Sequence, residues 1–181
     1  MRKSVFKAGA AFAVMAAIVT TLPACRSTKE VPQIGAAAEK NPGPCPRAFA
    51  LYDASRIVEF VNGGESFKNV GFTGEINQVR SLCRYYGAEP IRADLEMEIA
   101  FGRGPSAVGS EATYEYFIAV TRKNIDVIEK EVFPIRVRFP AGSDRVVLTE
   151  EVKDIVIPRR NENTSGVNFE IIAGFVVTDA Q

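Results

Sequence analysis

The stretch Ile91-Arg-Ala-Asp-Leu-Glu-Met-Glu-Ile-Ala-Phe101 alternates apolar with charged residues along most of its length. All its odd-numbered positions are apolar, and Arg92, Asp94, Glu96 and Glu98 lie between them. Because successive side chains of a β-strand point to opposite faces, this pattern predicts a strand with one buried face and one face in water. Such strands are typical of antiparallel sheets. The stretch therefore indicates an all-β domain.

Further stretches with a period of two surround this strand and are separated by Gly-, Asn-, Asp- and Pro-containing turns. They predict about seven to eight strands, within residues 47–61, 67–84, 91–101, 114–121, 127–139, 146–157 and 168–178. We therefore expect an all-β, mainly antiparallel fold that forms a single two-layer β-sandwich over residues 45–181. The pattern loosely resembles immunoglobulin-like and fibronectin-type-III-like modules, although the chain has no Trp to fill an immunoglobulin core.

Three places in this pattern leave the local structure open. Residues 149–153 within the weak strand 146–157 fit either a single helical turn or a bulge. Residues from Asp53 onward could begin as a short helix before continuing as a strand. Pro134 lacks a backbone N–H, so we expect it at a sheet edge, a strand end or a bulge.

The N-terminus has the three parts of an exported protein's leader. Arg2, Lys3 and Lys7 supply positive charge, about 15 apolar residues follow, and Leu22-Pro23-Ala24-Cys25 ends the segment with small residues and a cysteine. The apolar run is shorter than the roughly 20 residues of a membrane-spanning helix. An ordinary signal peptide cut after Ala24 and an uncleaved membrane helix are the alternatives that the residues alone leave open.

The same four residues resemble the lipobox of bacterial lipoproteins, in which Leu and two small residues precede a Cys. The resemblance implies that 1–24 is a lipoprotein signal peptide and that Cys25 becomes the lipidated first residue of the mature chain. Two or three acyl chains then make a durable membrane anchor. Arg26, in place of an Asp after the cysteine, implies the outer membrane rather than the inner one, with the folded domain in the periplasm.

Residues 25–44 would form the lipidated N-terminus and a flexible linker. Pro, Gly, Ala and charged residues dominate this segment, and no regular period runs through it. As a random coil it would reach on the order of 25 Å. The expected linker holds the domain away from the membrane.

With Cys25 lipidated, Cys45 and Cys83 are the two cysteines that remain. An even pair in an exported chain predicts a disulfide between them. Two free thiols are the alternative. A redox-active pair is disfavoured because the chain has no Cys-x-x-Cys motif.

Charge and composition exclude several classes of function. The 181-residue chain has 22 basic and 22 acidic residues, and loss of the leader leaves 19 basic against 22 acidic. Nucleic-acid binding requires a basic face, so we expect no nucleic-acid partner. The chain contains no His, which removes Ser-His and Cys-His nucleophilic chemistry and the most common zinc ligand. We therefore expect no enzyme, no cofactor and no metal site.

Two groups of residues are candidates for catalytic or ligand sites. Asp94, Glu96 and Glu98 share one face of a predicted strand and could bind Ca²⁺ or act as paired carboxylates, but a solvated face balanced by Arg and Lys is the simpler interpretation. The segment with Gly102, Gly104 and Gly109 lacks the ending of a phosphate-binding loop, so we interpret it as a turn.

Tyrosines and one sequon complete the candidates. Tyr85, Tyr86, Tyr114 and Tyr116 could mark an interface, or lie at the rim of the core with the hydroxyl in water. Asn163-Thr164-Ser165 matches the glycosylation pattern, yet the bacterial type of leader argues against its modification.

The whole pattern resembles the small envelope lipoproteins of Gram-negative bacteria. It implies a lipid-anchored, non-enzymatic protein that acts as a protein-interaction or assembly module, with the membrane and an envelope protein as partners. A periplasmic glycan- or small-ligand-binding module is the alternative, using loops at one end of the sandwich. A carboxylate-based hydrolase built on Asp94, Glu96 and Glu98 is a third possibility.

Overall fold

The computed structural model describes residues 43–61 and 64–177, which form an all-β structure with no α-helix in those ranges. Its strands are β1 Arg47–Ala50, β2 Arg56–Phe60, β3 Val70–Arg84, β4 Ile91–Arg103, β5 Glu111–Arg122, β6 Asp126–Arg138, β7 Arg145–Ile157 and β8 Phe169–Phe175. Three short 3₁₀ turns connect them, at Tyr52–Ala54, Phe67–Asn69 and Gly166–Asn168. The leader, Cys25 and most of the expected linker lie outside the described residues.

The strands form two four-stranded sheets that pack face to face. Sheet I has the order β1-β8-β5-β6 and sheet II has the order β2-β3-β4-β7. Among the described strands, only the β1–β8 pair is parallel, and all the other pairs are antiparallel. The predicted two-layer, mainly antiparallel sandwich is therefore confirmed. These strand orders differ from the orders ABED and CFG of constant-type immunoglobulin domains, so the resemblance is limited to the packing of two sheets.

Strand β4 lies inside sheet II and supplies the centre of the core. Its inward side chains at positions 91, 93, 95, 97, 99 and 101 are at most 2% exposed. Phe101 stacks on Tyr114 of sheet I at 5.8 Å between ring centres and meets the Phe175 ring edge-on at 6.1 Å. The alternation along this strand thus places one face in the core and the other in water, as the sequence predicted.

The three local alternatives each resolve into a specific structure. Strand β7 is continuous, without a helical turn, and its bulge lies at Lys153 and Asp154, where the pairing with β4 shifts between Val152 and Ile155. Residue Asp53 lies in a 3₁₀ turn that leads into β2. Pro134 lies on β6, which is an edge strand of sheet I.

The two long sides of the sandwich differ. On what we call the closed side, β1 packs against β3, and the predicted disulfide joins Cys45, just before β1, to Cys83 on β3 with 5.7 Å between Cα atoms. On what we call the open side, β6 and β7 are edge strands, and within the described residues each pairs with a single neighbour, β5 and β4 respectively.

Candidate functional site

The open side contains a groove of about 280 Å³ between β6 and β7. Its floor is apolar and comes from three strands of the two sheets. Ile118 and Val120 of β5 are each 4% exposed, while Phe133, Val152 and Ile155 are partly exposed. The groove exists because the bulge in β7 bends that edge and no described strand joins β6 to β7.

Two glutamates of β6 form one rim of this groove. Glu129 pairs across the ladder with Val120, and Glu131 pairs with Ile118, so both glutamates lie on the inward face that Phe133 also occupies. Both side chains are exposed, and neither makes a hydrogen bond or ion pair with any described residue. The opposite rim has Lys153 and Asp154, which are already paired with Glu151 at 2.8 Å and Arg92 at 2.7 Å. The groove thus has two carboxylates without a partner beside an apolar floor.

Next to the groove, Tyr116 connects the two sheets. Its ring is 3% exposed and stacks on Phe133 at 5.3 Å, and its hydroxyl donates a hydrogen bond of 3.3 Å to Glu150 Oε2 of β7. Burial, the charge of Glu150 and this hydrogen bond together raise the pKa of Tyr116 to about 12. Tyr114 makes a similar connection on β2, where it donates to Glu59 at 2.9 Å, and burial followed by that hydrogen bond raises its pKa well above the ordinary value.

The tyrosines named in the sequence therefore do not form one surface. Tyr114, Tyr116 and Tyr85 are at most 7% exposed, whereas Tyr86 is on the surface. The Tyr85 hydroxyl lies within 2.7 Å of the Gly43 carbonyl and 3.0 Å of the Pro44 carbonyl, and accepts from the N–H of Gly166 at 3.3 Å. These side chains are structural. They do not create a tyrosine-lined ligand patch.

Asp94, Glu96 and Glu98 lie on the outer face of β4, as predicted, and each has a partner. Asp94 is 3.6 Å from Arg84 and accepts the backbone N–H of Asp154 at 2.9 Å. Glu96 pairs with Arg80 at 3.5 Å and Glu98 accepts from Asn77 at 3.3 Å. Arginines of the neighbouring β3 thus offset this charge, which matches the solvated-face interpretation.

The remaining candidates lie in connecting segments. Gly102, Gly104 and Gly109 belong to the end of β4 and the turn before β5. A Cβ at Gly104 would meet the Val70 carbonyl oxygen, so the turn requires glycine for close backbone approach. Asn163-Thr164-Ser165 lies in the loop between β7 and β8, where Thr164 donates to Asn161 Oδ1 at 3.1 Å.

Arg159, which the sequence did not single out, organises this loop. Its guanidinium donates to the carbonyls of Glu89 at 2.7 Å, Glu162 at 3.1 Å and Thr164 at 3.2 Å, and also to that of Gly87. It lies over the Tyr85 ring, 4.7 Å from the ring centre. One side chain therefore fixes two loops against the buried tyrosine.

A second, shallower cleft of about 570 Å³ lies at the end of the sandwich where β5 ends and β8 begins. Arg122, Lys123 and Arg160 line it together with loop amides, and no described carboxylate pairs with these three cations. Lys123 N–H donates to the Asn168 carbonyl at 2.9 Å, which holds the β5–β6 turn against the 3₁₀ turn before β8. The cleft offers positive charge and amides.

The described residues also bear on metal binding and on membrane insertion. Among residues 43–61 and 64–177, no group of three or more acidic or cysteine side chains is placed to hold a metal ion. The same part of the chain contains no helix long and apolar enough to cross a membrane. The predicted lipidation of Cys25 falls outside these residues.

Compared with known proteins, the chain matches no protein-family model, no characterised protein and no solved structure. Any function of the open-side groove or of the end cleft therefore has to follow from the side chains that line it.

Sequence reasoning missed Glu129 and Glu131, although a signal was present. Both share odd-numbered positions with Phe133, Ile135 and Val137 on the same strand. Extending that alternation toward the N-terminus of β6 would have placed the two glutamates on the inward face.

Proposed function

We propose that this protein is a lipid-anchored, non-enzymatic interaction module of the bacterial cell envelope. In this proposal Cys25 carries the lipid and the anchor lies in the outer membrane rather than the inner one. The sandwich lies in the periplasm, where it binds an envelope protein. The resemblance of Leu22-Pro23-Ala24-Cys25 to a lipobox supports the anchor. The Cys45–Cys83 disulfide fits an oxidising compartment.

The binding role is supported by the structure of the open side. Its two 13-residue edge strands each have one unpaired edge within the described residues, and an apolar groove separates them. Exposed strand edges are templates for pairing with another polypeptide. The carboxylates Asp94, Glu96 and Glu98 each have a partner, and the absence of His removes the usual general base.

The anchor is tested by mass spectrometry of the N-terminus of the mature protein. We expect a chain that begins at Cys25 with acyl groups attached. An intact leader or an unmodified Cys25 would contradict this part of the proposal.

The binding role is tested by photo-cross-linking in the native envelope. A photoreactive amino acid replaces Val132 of the open side in one strain and the exposed Lys68, away from the groove, in a matched control. We expect an envelope protein to be captured from position 132 and to bind the purified protein, with no such capture from position 68. Equal capture from both positions, or none from either, would remove the support for a partner on this side.

The end cleft supports a second candidate, a module that binds an anionic glycan or small ligand. Three cations that pair with no described carboxylate surround a cavity that also offers amide groups. Calorimetry with a carboxylated oligosaccharide and its neutral parent tests this candidate. Selective binding of the charged sugar, lost in Lys123→Gln and Arg160→Gln, is expected. Equal affinity for both sugars would contradict it.

A further inference from the structure

The N-terminal half of β6 is an unprotected strand edge. Residues 129–133 pair in unbroken register with β5 on one side only, and Val132 is 48% exposed. Pro134 blocks backbone pairing only from that position onward. On the other edge strand, the bulge at Lys153 and the positive φ of Asp154 (59°) interrupt regular pairing. On β6 the pairing with β5 shifts between Val127 and Glu129, so the regular part of its open edge before Pro134 is 129–133, which lies beside the groove.

The charge on the inward face of this edge limits which strand can be added. A residue directly opposite another in an antiparallel pair has its Cβ atom about 5 Å away. Inward side chains of an added strand would therefore lie beside Glu129 and Glu131, both without a described partner. Lys or Arg at two alternating positions meets both carboxylates, whereas Asp or Glu there is repelled.

The apolar floor favours the same chemistry. Long basic side chains place their methylene stems on apolar surface and keep the charged end in water. The floor of Val152, Ile155 and Phe133 lies between the β6 edge and β7, where such stems would extend. A short apolar side chain would cover the floor and leave both carboxylates unpaired.

A second copy of this chain is a poor occupant. Antiparallel self-pairing of β6 centred on Lys130 brings Glu129 opposite Glu131, and pairing centred on either glutamate brings that residue opposite itself. Like charges directly opposite are destabilising.

We infer that residues 129–133 of β6 accept an added strand from an extended segment of a partner protein with Lys or Arg at two alternating positions. The stems of those residues cover the groove floor and their charged ends pair with Glu129 and Glu131. This inference rests on the proposed protein-binding function and names its site and the chemistry of its partner.

The test measures binding of fluorescent eight-residue peptides to the full chain in detergent micelles. An alternating Arg-Val peptide should bind, and its copy with Glu in place of Arg should not. A third peptide, N-methylated at alternate residues, keeps the charge but loses backbone donors, and should also fail. E129Q/E131Q should weaken the Arg-Val peptide by about tenfold, whereas the matched control E96Q/E98Q, with the same change of charge on the outer face of β4, should not.

Equal binding of the N-methylated peptide would show charge attraction without strand addition and would overturn the inference. Equal weakening by E96Q/E98Q, or absence of binding, would do the same. These failures are separable from failure of the proposed function, because capture of an envelope protein from position 132 and the mass of the N-terminus are measured independently of the peptide.

Discussion

The closed and open sides of the sandwich join the same two sheets in different ways. On the closed side, the disulfide joins the residue before β1 to β3. The buried hydroxyl of Tyr85 also contacts Gly43, which precedes β1, and Gly166, which precedes β8. On the open side the connection is the hydrogen bond from Tyr116 to Glu150, beside a groove with two unpaired glutamates. The difference indicates that stability is concentrated on one side, which leaves the other side available for binding.

The largest expected effect comes from opening the closed side. The Cys45→Ala/Cys83→Ala double variant loses the constraint on a 38-residue separation, and we expect the free energy of unfolding to fall by roughly 3–4 kcal/mol. Urea denaturation of the oxidised protein and the variant measures this loss. Reductant should destabilise the original protein and leave the variant unchanged. A loss below about 1 kcal/mol would mean that β1 is held mainly by its parallel pairing with β8.

Tyr85→Phe is the next test of the closed side. The variant keeps the ring under Arg159 but removes the hydroxyl that contacts Gly43, Pro44 and Gly166. Because a buried N–H loses its acceptor, we expect a loss of about 1–3 kcal/mol. Tyr86→Phe is the matched control, since Tyr86 is 56% exposed, and its unfolding curve should not change. Equal effects of the two variants would contradict the structural role of Tyr85.

Much of the closed side and the core could be predicted from the sequence. The alternation of β4 was enough to assign its two faces, because burial of a strand residue depends on its parity. The cysteine pair was predicted from its number and its exported context. Pro134 was predicted at a sheet edge, a strand end or a bulge because of its missing N–H. Each of these predictions depends on local chemistry.

The open side could not be predicted in the same way. The bulge at Lys153 and Asp154 depends on the pairing of β7 with β4, which is distant in sequence. The sequence indicated a helical turn or a bulge over 149–153, which overlaps the bulge at Lys153 but does not distinguish the two. That β6 and β7 both lie at edges depends on the order of strands in two sheets. The sequence therefore drew attention to Asp94, Glu96 and Glu98, which are paired, and missed Glu129 and Glu131, which are not.

The Tyr116–Glu150 connection predicts how the open side responds to alkaline pH. An unfolded tyrosine ionises near pH 10, whereas the folded protein raises the pKa of Tyr116 to about 12. Between these values the unfolded state binds fewer protons, so stability is retained below pH 10 and falls as pH rises toward 12. Tyr116→Phe should cost about 1 kcal/mol at neutral pH and should reduce the steepness of the alkaline decline. Tyr114 contributes the decline that remains.

Urea midpoints measured across this pH range test the prediction, with Tyr86→Phe as the control because its side chain is on the surface. If Tyr116→Phe has the same alkaline slope as the original protein, the hydroxyl is not held in its neutral form by burial and Glu150.

The smallest effect on stability is expected from Glu129→Val/Glu131→Val. Both glutamates are exposed and unpaired in the described structure, so the free energy of unfolding should change by less than about 0.5 kcal/mol. Solution behaviour should change far more. Inward charges on an edge strand prevent pairing between copies. Their replacement by valine makes the inward face of 129–133 entirely apolar up to Pro134.

We therefore expect concentration-dependent association of this variant in sedimentation experiments. The control Glu96→Val/Glu98→Val should stay monomeric, because both edges of β4 are already paired, with β3 and with β7. A monomeric Glu129→Val/Glu131→Val protein would show that the glutamates do not prevent pairing between copies at the β6 edge. Association with unchanged unfolding energy would show the opposite: on this side the two charges contribute to selection among partners rather than to the fold, whereas Cys45, Cys83 and Tyr85 contribute to the fold alone.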